Sequence, residues 1–382
     1  MRAIRAFFCA VFIFTLFCTG ARANDKLRLV FTGDIMAHLE QVNGARRGDS
    51  WDFSPQFRRV VPLFYNALSI GNLETTFAGR ERGFAGYPSF NTPDELAGAI
   101  KDLGIQIVTL SNNHIMDRGA SGALRTTRVL DSAGILWTGL RTADRPGEVL
   151  TVEHDGFKIA FINYAYGSNS RVSFDKVEMN VISEAAVTEA ISLAKAASPD
   201  LIVGCFHWGN EYQFAPTSAQ RAIADLCVKN GVRLVIGTHP HVLQPIETPN
   251  TPGGRAAVAY SLGNFVSYQR TLPRERGVVL AVDIERKGKK SADISRVSVA
   301  PIITTVTPKA GGKLIEVMYA GESGRFNNYG LGQNKISHAR EAGRAVLDFL
   351  GARTSPNGDG FYTIWDKNEP DVTPKSGRTS PK

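Results

Sequence analysis

The sequence is poor in the features that mark the simpler classes of protein. Four cysteines in 382 residues exclude a mini-domain stapled by disulfides. With 21% charged and 9% aromatic residues, the composition also excludes a disordered or fibrous chain. Beyond Asn24 there is no second long apolar run and no internal repeat. What remains is a globular chain, long enough for one large domain or two smaller ones.

The long apolar run lies at the start. Arg2 and Arg5 precede Ala6 to Phe17, and Ala21-Arg22-Ala23 supplies a small-x-small site. This is the layout of a secretory signal peptide over residues 1–23. An uncleaved anchor is the weaker reading, because the run is shorter than the ~20 residues a span needs. Phe17 is too bulky to precede a lipidated Cys18. Cleavage removes Arg2, Arg5 and Arg22 from a formal charge of +8, and Cys9 and Cys18 with them. The expectation is an exported protein, periplasmic or extracellular. Cys205, in an apolar run, and Cys227, in a helical pattern, read as two buried thiols; a disulfide is the alternative in an oxidising compartment.

After Asn24, short β-rich runs stop abruptly at Gly, Asn, Asp or His. Leu27 to Phe31 ends in Thr32-Gly33-Asp34, and Ala67 to Ile70 ends in Gly71-Asn72-Leu73-Glu74. Ile105 to Leu110 leads to Ser111-Asn112-Asn113-His114, Leu201 to Phe206 to His207-Trp208-Gly209, and Val232 to Ile236 to Gly237-Thr238-His239-Pro240-His241. Continuous apolar runs of this length read as strands buried on both faces. Helical spacing over 93–103, 121–132, 183–197 and 217–229 alternates with them. Several strands in succession over 147–166 and 256–307 point to antiparallel pairing as well. The expected fold is therefore α/β, with two mixed sheets flanked by helices.

Ligands of open α/β sheets bind beyond the carboxyl ends of the strands, so these endings can converge on one site. Singly, each has an ordinary role: Asp34 as a turn cap, Glu74 in a surface ion pair, Asn113 in a turn, His207 in the core. Five together are hard to assign to turn chemistry. His239-Pro240-His241 is the sharpest element. Proline biases His239 towards an extended conformation, in which residues i and i+2 face the same way. Both imidazoles then face one cleft, as metal ligands or as acid–base groups. Arg46, Arg47, Arg58 and Arg59 read as a solvated charged face.

In order along the chain stand Thr32-Gly33-Asp34, Gly71-Asn72-Leu73-Glu74, Ser111-Asn112-Asn113-His114 with Asp117, His207-Trp208-Gly209-Asn210-Glu211-Tyr212, Gly237-Thr238-His239-Pro240-His241 and Tyr260-Ser261-Leu262-Gly263-Asn264-Phe265. On these motifs the chain resembles the CapA-like proteins of bacterial poly-γ-glutamate capsule synthesis, relatives of the calcineurin-like metallophosphoesterases. The resemblance implies a four-layer α/β/β/α sandwich over residues 24–303. A C-terminal extension, 304–372, is expected to pack on it, with a disordered tail at 373–382. It also implies one or two divalent ions, Zn²⁺ or Mn²⁺, on Asp34, Glu74, Asn113, His207, His239 and His241. A metal-free site, with Asp34 and a histidine as an acid–base couple, is the alternative. Asp34, His114 and His241 carry the implied catalysis, supported by Asn72, Asp117, Glu211 and Asn264. Trp208 and Asn264 are also readable as a packing residue and a turn residue. The family's Asp-x-His motif stands here as Asp34-Ile35-Met36, which replaces a nitrogen donor by a thioether.

The implied function is metal-assisted or acid–base hydrolysis or transfer on an anionic γ-glutamyl polymer, in contact with a membrane-bound capsule synthase or export complex. No nucleic-acid partner is expected. The alternatives are a non-catalytic polymer-binding subunit and a divergent phosphoesterase.

Overall fold

The runs that end in Gly, Asn, Asp or His are strands, and they divide between two sheets. The structure, a computed structural model, describes residues 13–15, 25–170, 177–287, 291–309, 312–326 and 330–369. One sheet runs in the order Gly312–Tyr319, Ala292–Lys309, Arg276–Arg286, Lys26–Ile35, Leu68–Leu73, Ile107–Thr109, Leu136–Thr138. It is parallel from Lys26–Ile35 onward and antiparallel on the other side. The other sheet sets Val149–His154, Phe157–Ala165, Leu201–His207, Leu234–Thr238 and Ala257–Ala259 side by side, with parallel pairing through its centre. Ile13–Thr15 pairs at its Val149–His154 edge. The remainder of the expected leader, and the expected tail at 373–382, lie outside the described residues.

Strand parity decides what each side chain meets. Along Leu201–His207, Leu201, Val203 and Cys205 enter the large core between the sheets, whereas Ile202 and Phe206 lie under the outer helices. In Phe157–Ala165 the same alternation sends Ile159, Phe161 and Ala165 inward and Ala160, Ile162 and Tyr164 outward. Each large apolar side chain so enclosed contributes about 1.5–3 kcal/mol. Cys205 and Cys227 fall in cores on opposite sides of this sheet, and both are free, buried thiols. The disulfide alternative is thereby excluded.

Helices form the outer layers. Glu184–Ala196 and Ser218–Lys229 cover the second sheet through Val187, Ile191, Ile223 and Cys227. Ser183 and Thr217 accept hydrogen bonds from Ala186 N and Gln220 N, which caps both helices. Glu95–Leu103 and Gly119–Ser132 add Leu96, Ile100, Ala123 and Leu130 to the large core. Gln333–Leu350 packs Ala339 and Ala342 against Ile303 and Met318 of the first sheet. The result is the expected sandwich of two mixed sheets between helices.

Two local expectations change. Residue 303 lies inside the strand Ala292–Lys309, to which Gly312–Tyr319 and Tyr362–Asp366 are paired. Chain beyond 303 thus extends the first sheet itself; the strand runs on through Pro301 and stays buried on both faces from Val297 to Thr305. Arg58 and Arg59 are not simply a solvated face either. Both lie 3.1 Å from the buried carboxylate of Glu316, and the Arg59 side chain is only 8% exposed.

Candidate metal centre

Strand ends from both sheets meet in one cleft. Asp34 is at the end of Lys26–Ile35 and Glu74 just beyond Leu68–Leu73; Asn113 and His114 follow Ile107–Thr109. From the second sheet, His207 closes Leu201–His207, where its parity with Val203 and Cys205 sends it between the sheets. His239 and His241 follow Leu234–Thr238. Two glycines permit the approach. A Cβ on Gly33 would lie 1.8 Å from the Gly263 carbonyl oxygen, and one on Gly237 would lie 2.0 Å from that of Tyr260. Asp34 N donates to Gly263 O at 3.2 Å, which seats the 260–266 segment against the site.

Asp34 is fully buried. Asn72 Nδ2 donates to its Oδ1 at 2.8 Å, and its Oδ2 lies 3.0 Å from His241 Nδ1 and 3.3 Å from His239 N. Burial opposes ionisation of Asp34, but the hydrogen bond and charge of His241 outweigh it and hold the carboxyl well below its usual range. His241 Nδ1 also lies 3.0 Å from Asn264 Oδ1. Both neighbours are acceptors, so Nδ1 carries a proton, and in the neutral ring Nε2 presents a lone pair. His114 is set the same way, with Nδ1 2.8 Å from Asp117 Oδ2. Asp117 is itself held by Phe90 N at 2.8 Å.

These lone pairs face Glu74. Glu74 Oε1 lies 3.7 Å from His241 Nε2, 3.7 Å from His207 Nε2 and 4.0 Å from His114 Nε2. Its two oxygens are buried and accept no hydrogen bond. Desolvation and the neighbouring charge of Asp34 push its carboxyl well above the usual range. The lone pairs of His114 and His241, facing a buried carboxyl group that no donor satisfies, are a mismatch that a cation resolves. His239 Nδ1 is likewise buried without a partner, and burial together with the His241 charge pulls that ring down to about 3. Burial, first, and then the His239 charge push His207 well below its usual value.

Two sets of ligand atoms fit a metal ion. Asp34, Glu74 and His207 each offer one within 4.8 Å of the others, and so do Glu211, His239 and His241. Asn113 Oδ1 accepts from His207 Nε2 at 2.8 Å, beside the first set. Glu211, which the resemblance assigns a supporting role, therefore stands among the candidate ligands. Asn264 does more than fix a turn: it orients His241 while its Nδ2 donates to Arg274 O at 2.9 Å. Trp208 is buried and donates Nε1 to Tyr260 O, in keeping with packing.

The His-Pro-His element reaches the cleft by a different backbone from the extended one expected. His239 has φ 98° and His241 φ 56°, a region that costs a non-glycine residue of order 1–3 kcal/mol. Tertiary bonds override the local bias: Asp34 holds His239 N, and Tyr212 N donates to Pro240 O at 2.7 Å. Met36, in the Asp-x-His position, is buried. His38 accepts from Tyr268 N through Nδ1 at 3.2 Å, and burial brings it down to about 4.

Two contributors have no motif. Tyr166, 45% exposed, places its ring 4.6 Å from that of His239 and walls the cleft mouth. Asn163, buried in Phe157–Ala165, accepts from Ser111 N at 2.8 Å and Leu110 N at 3.2 Å, and donates to Cys205 O at 3.1 Å. It ties the second sheet to the segment carrying Asn113 and His114. Its only signal in the sequence is polarity within an apolar run. Asn163→Ala leaves Ser111 N and Cys205 O without this partner, while Leu110 N keeps Thr138 O, so chemical denaturation is expected to show a loss of about 1–3 kcal/mol.

Comparison with known proteins places this geometry in context. The family model for bacterial capsule synthesis protein PGA_cap matches residues 28–269. The capsule biosynthesis protein CapA of Bacillus anthracis is 27% identical over 258 residues, 64% of this chain and 61% of that protein. The chain thus spans under two thirds of that relative's length. The PGA biosynthesis protein CapA of Bacillus subtilis is 26% identical over 286 residues, 72% of this chain and 73% of its own. Among solved structures, a putative 5'-nucleotidase from Staphylococcus aureus superposes with a TM-score of 0.48 and 11% identity, covering 85% of this chain and 59% of that one.

Proposed function

Because the chain belongs to the bacterial capsule synthesis protein family PGA_cap, we propose that it is an exported protein acting on a cell-surface polymer, by metal-assisted hydrolysis or transfer on an anionic γ-glutamyl chain. The observation that carries the reading is Glu74: a fully buried carboxylate with no hydrogen bond, within 4.0 Å of three imidazole nitrogens. The mixed oxygen and nitrogen donors suit Zn²⁺ or Mn²⁺. Asp34, Glu74 and His207 would hold one ion, and Glu211, His239 and His241 a second.

When bound, a divalent cation supplies Lewis acidity and makes nearby water more acidic. The protein's own groups do the rest. Asp117 fixes the tautomer of His114, whose Nε2 is available at the cleft for proton transfer to or from a reacting group. Asp34 and Asn264 fix His241 in the same tautomer. Tyr166 covers His239 and narrows access by water.

Metal analysis of the purified chain tests this first. We expect at least one divalent ion per chain, and a more than tenfold weaker hold in His239→Ala, since even outer partners of such ligands are worth 10–100-fold. Failure of the wild type to retain or take up any divalent ion would refute the metal reading. Turnover of γ-glutamyl peptides, but not of phosphate esters, is the expected activity. Metal loss with polymer production retained in an Asp34→Ala strain would instead favour a role in holding the polymer.

A further inference from the structure

Asp34 and Glu74 are buried in the cleft and Glu211 stands exposed beside His239 and His241, so an anionic chain needs cations at the rim to approach it. Arg274 stands there. Its guanidinium carbon lies 3.3 Å from the centroid of the Tyr212 ring, and that ring is 6.2 Å from His241. Among the described residues Arg274 has no carboxylate partner and its side chain makes no hydrogen bond; it is partly exposed. A guanidinium stacked flat on a ring keeps its in-plane N–H edge free, and that edge matches a carboxylate.

Both members of the pair are tied to the site. Asn264 holds the Arg274 carbonyl through Nδ2 and His241 through Oδ1. Tyr212, at φ 64°, is bonded through N to Pro240 of the His-Pro-His turn. Two further cations lie near Tyr268: Arg270 of the same loop at 6.0 Å and Lys313 of the strand Gly312–Tyr319 at 5.0 Å from its ring, Arg270 donating to Thr304 O and Lys313 to the Tyr268 hydroxyl. Tyr268 N is anchored on His38.

We propose that Arg274, stacked on Tyr212, anchors a substrate carboxylate beside His241, and that Arg270 and Lys313 around Tyr268 receive further carboxylates of the same chain. This rests on the reading of the cleft as acting on an anionic γ-glutamyl chain, but it is measured by binding instead of turnover. Stacking holds the fork in place before the ligand arrives, so little rotamer entropy remains to be lost.

Fluorescence anisotropy of a labelled oligo-γ-glutamate with the full chain provides the test. Arg274→Ala is expected to weaken binding about ten- to a hundredfold. Arg274→Lys keeps the charge without the fork and should recover only part of the loss, which a purely structural role would not predict. Replacing Arg270 and Lys313 together should weaken binding less and flatten its salt dependence. Unchanged binding by Arg274→Ala or by a folded Arg274→Lys overturns the anchor. So does a wild-type protein that ignores oligo-γ-glutamate, or that binds polyphosphate of matched length more tightly through Arg274. Arg274-dependent binding in a protein that turns over no γ-glutamyl substrate supports the anchor and sinks only the catalytic reading.

Discussion

Glu74→Gln is expected to make the metal-stripped protein more stable while removing its capacity to hold an ion in the Asp34–Glu74–His207 set. In the stripped protein Glu74 has two buried oxygens without donors, and an unsatisfied buried group costs about 1–3 kcal/mol. The amide has nearly the same shape and never ionises. The pH dependence follows from the direction of the shift. Because the folded-state carboxyl is raised above its ordinary value of 4.5, the unfolded chain releases this proton first as pH rises. Stability from this group is complete below that value and is lost as pH climbs towards the folded-state value. The gain in melting temperature of the variant over the wild type, both treated with chelator, should therefore grow from about pH 4.5 upward. Restoring the metal should reverse the order. A Glu74→Gln protein that is less stable than the stripped wild type at neutral pH would remove Glu74 from the centre of the site.

Asp34→Asn is expected to abolish retention of the ion and lower turnover at least a hundredfold, with the fold kept, because Asn preserves the side chain's shape while removing its charge and turning one acceptor oxygen into a donor. Asp34 also sets the tautomer of His241 and receives Asn72 Nδ2 and His239 N. Asn264→Ala removes the second partner of His241 Nδ1 and the donor to Arg274 O, but no candidate ligand, and such outer contacts are worth 10–100-fold in metal affinity. Competition against a chromophoric chelator separates the two, since the Asp34 variant should show no measurable affinity and the Asn264 variant a reduced one. Equal affinities would mean that Asp34 is not a ligand and serves only to orient His241.

Much of this arrangement is legible along the chain. The apolar runs that stop at Gly, Asn, Asp or His are the strands that frame the cleft, because a strand buried on both faces must be apolar until it leaves the sheet. Period-two alternation already puts His207 on the face of Val203 and Cys205, and hence between the sheets. Asn163 is harder to read, since a single polar residue in an apolar run does not say which distant N–H groups it will accept.

Local chemistry of the sequence determined the strands, their endings, the capped helices and the pool of side chains able to meet at the sheet ends. Tertiary structure alone decided which of them meet. It set Glu74 against His114, His207 and His241, brought Glu211 to His239, bent His239 out of the conformation that Pro240 favours, and laid Arg274 on Tyr212. The physical reason is that alternation and capping act over a few residues, whereas these contacts join segments brought together only when the two sheets close on one core.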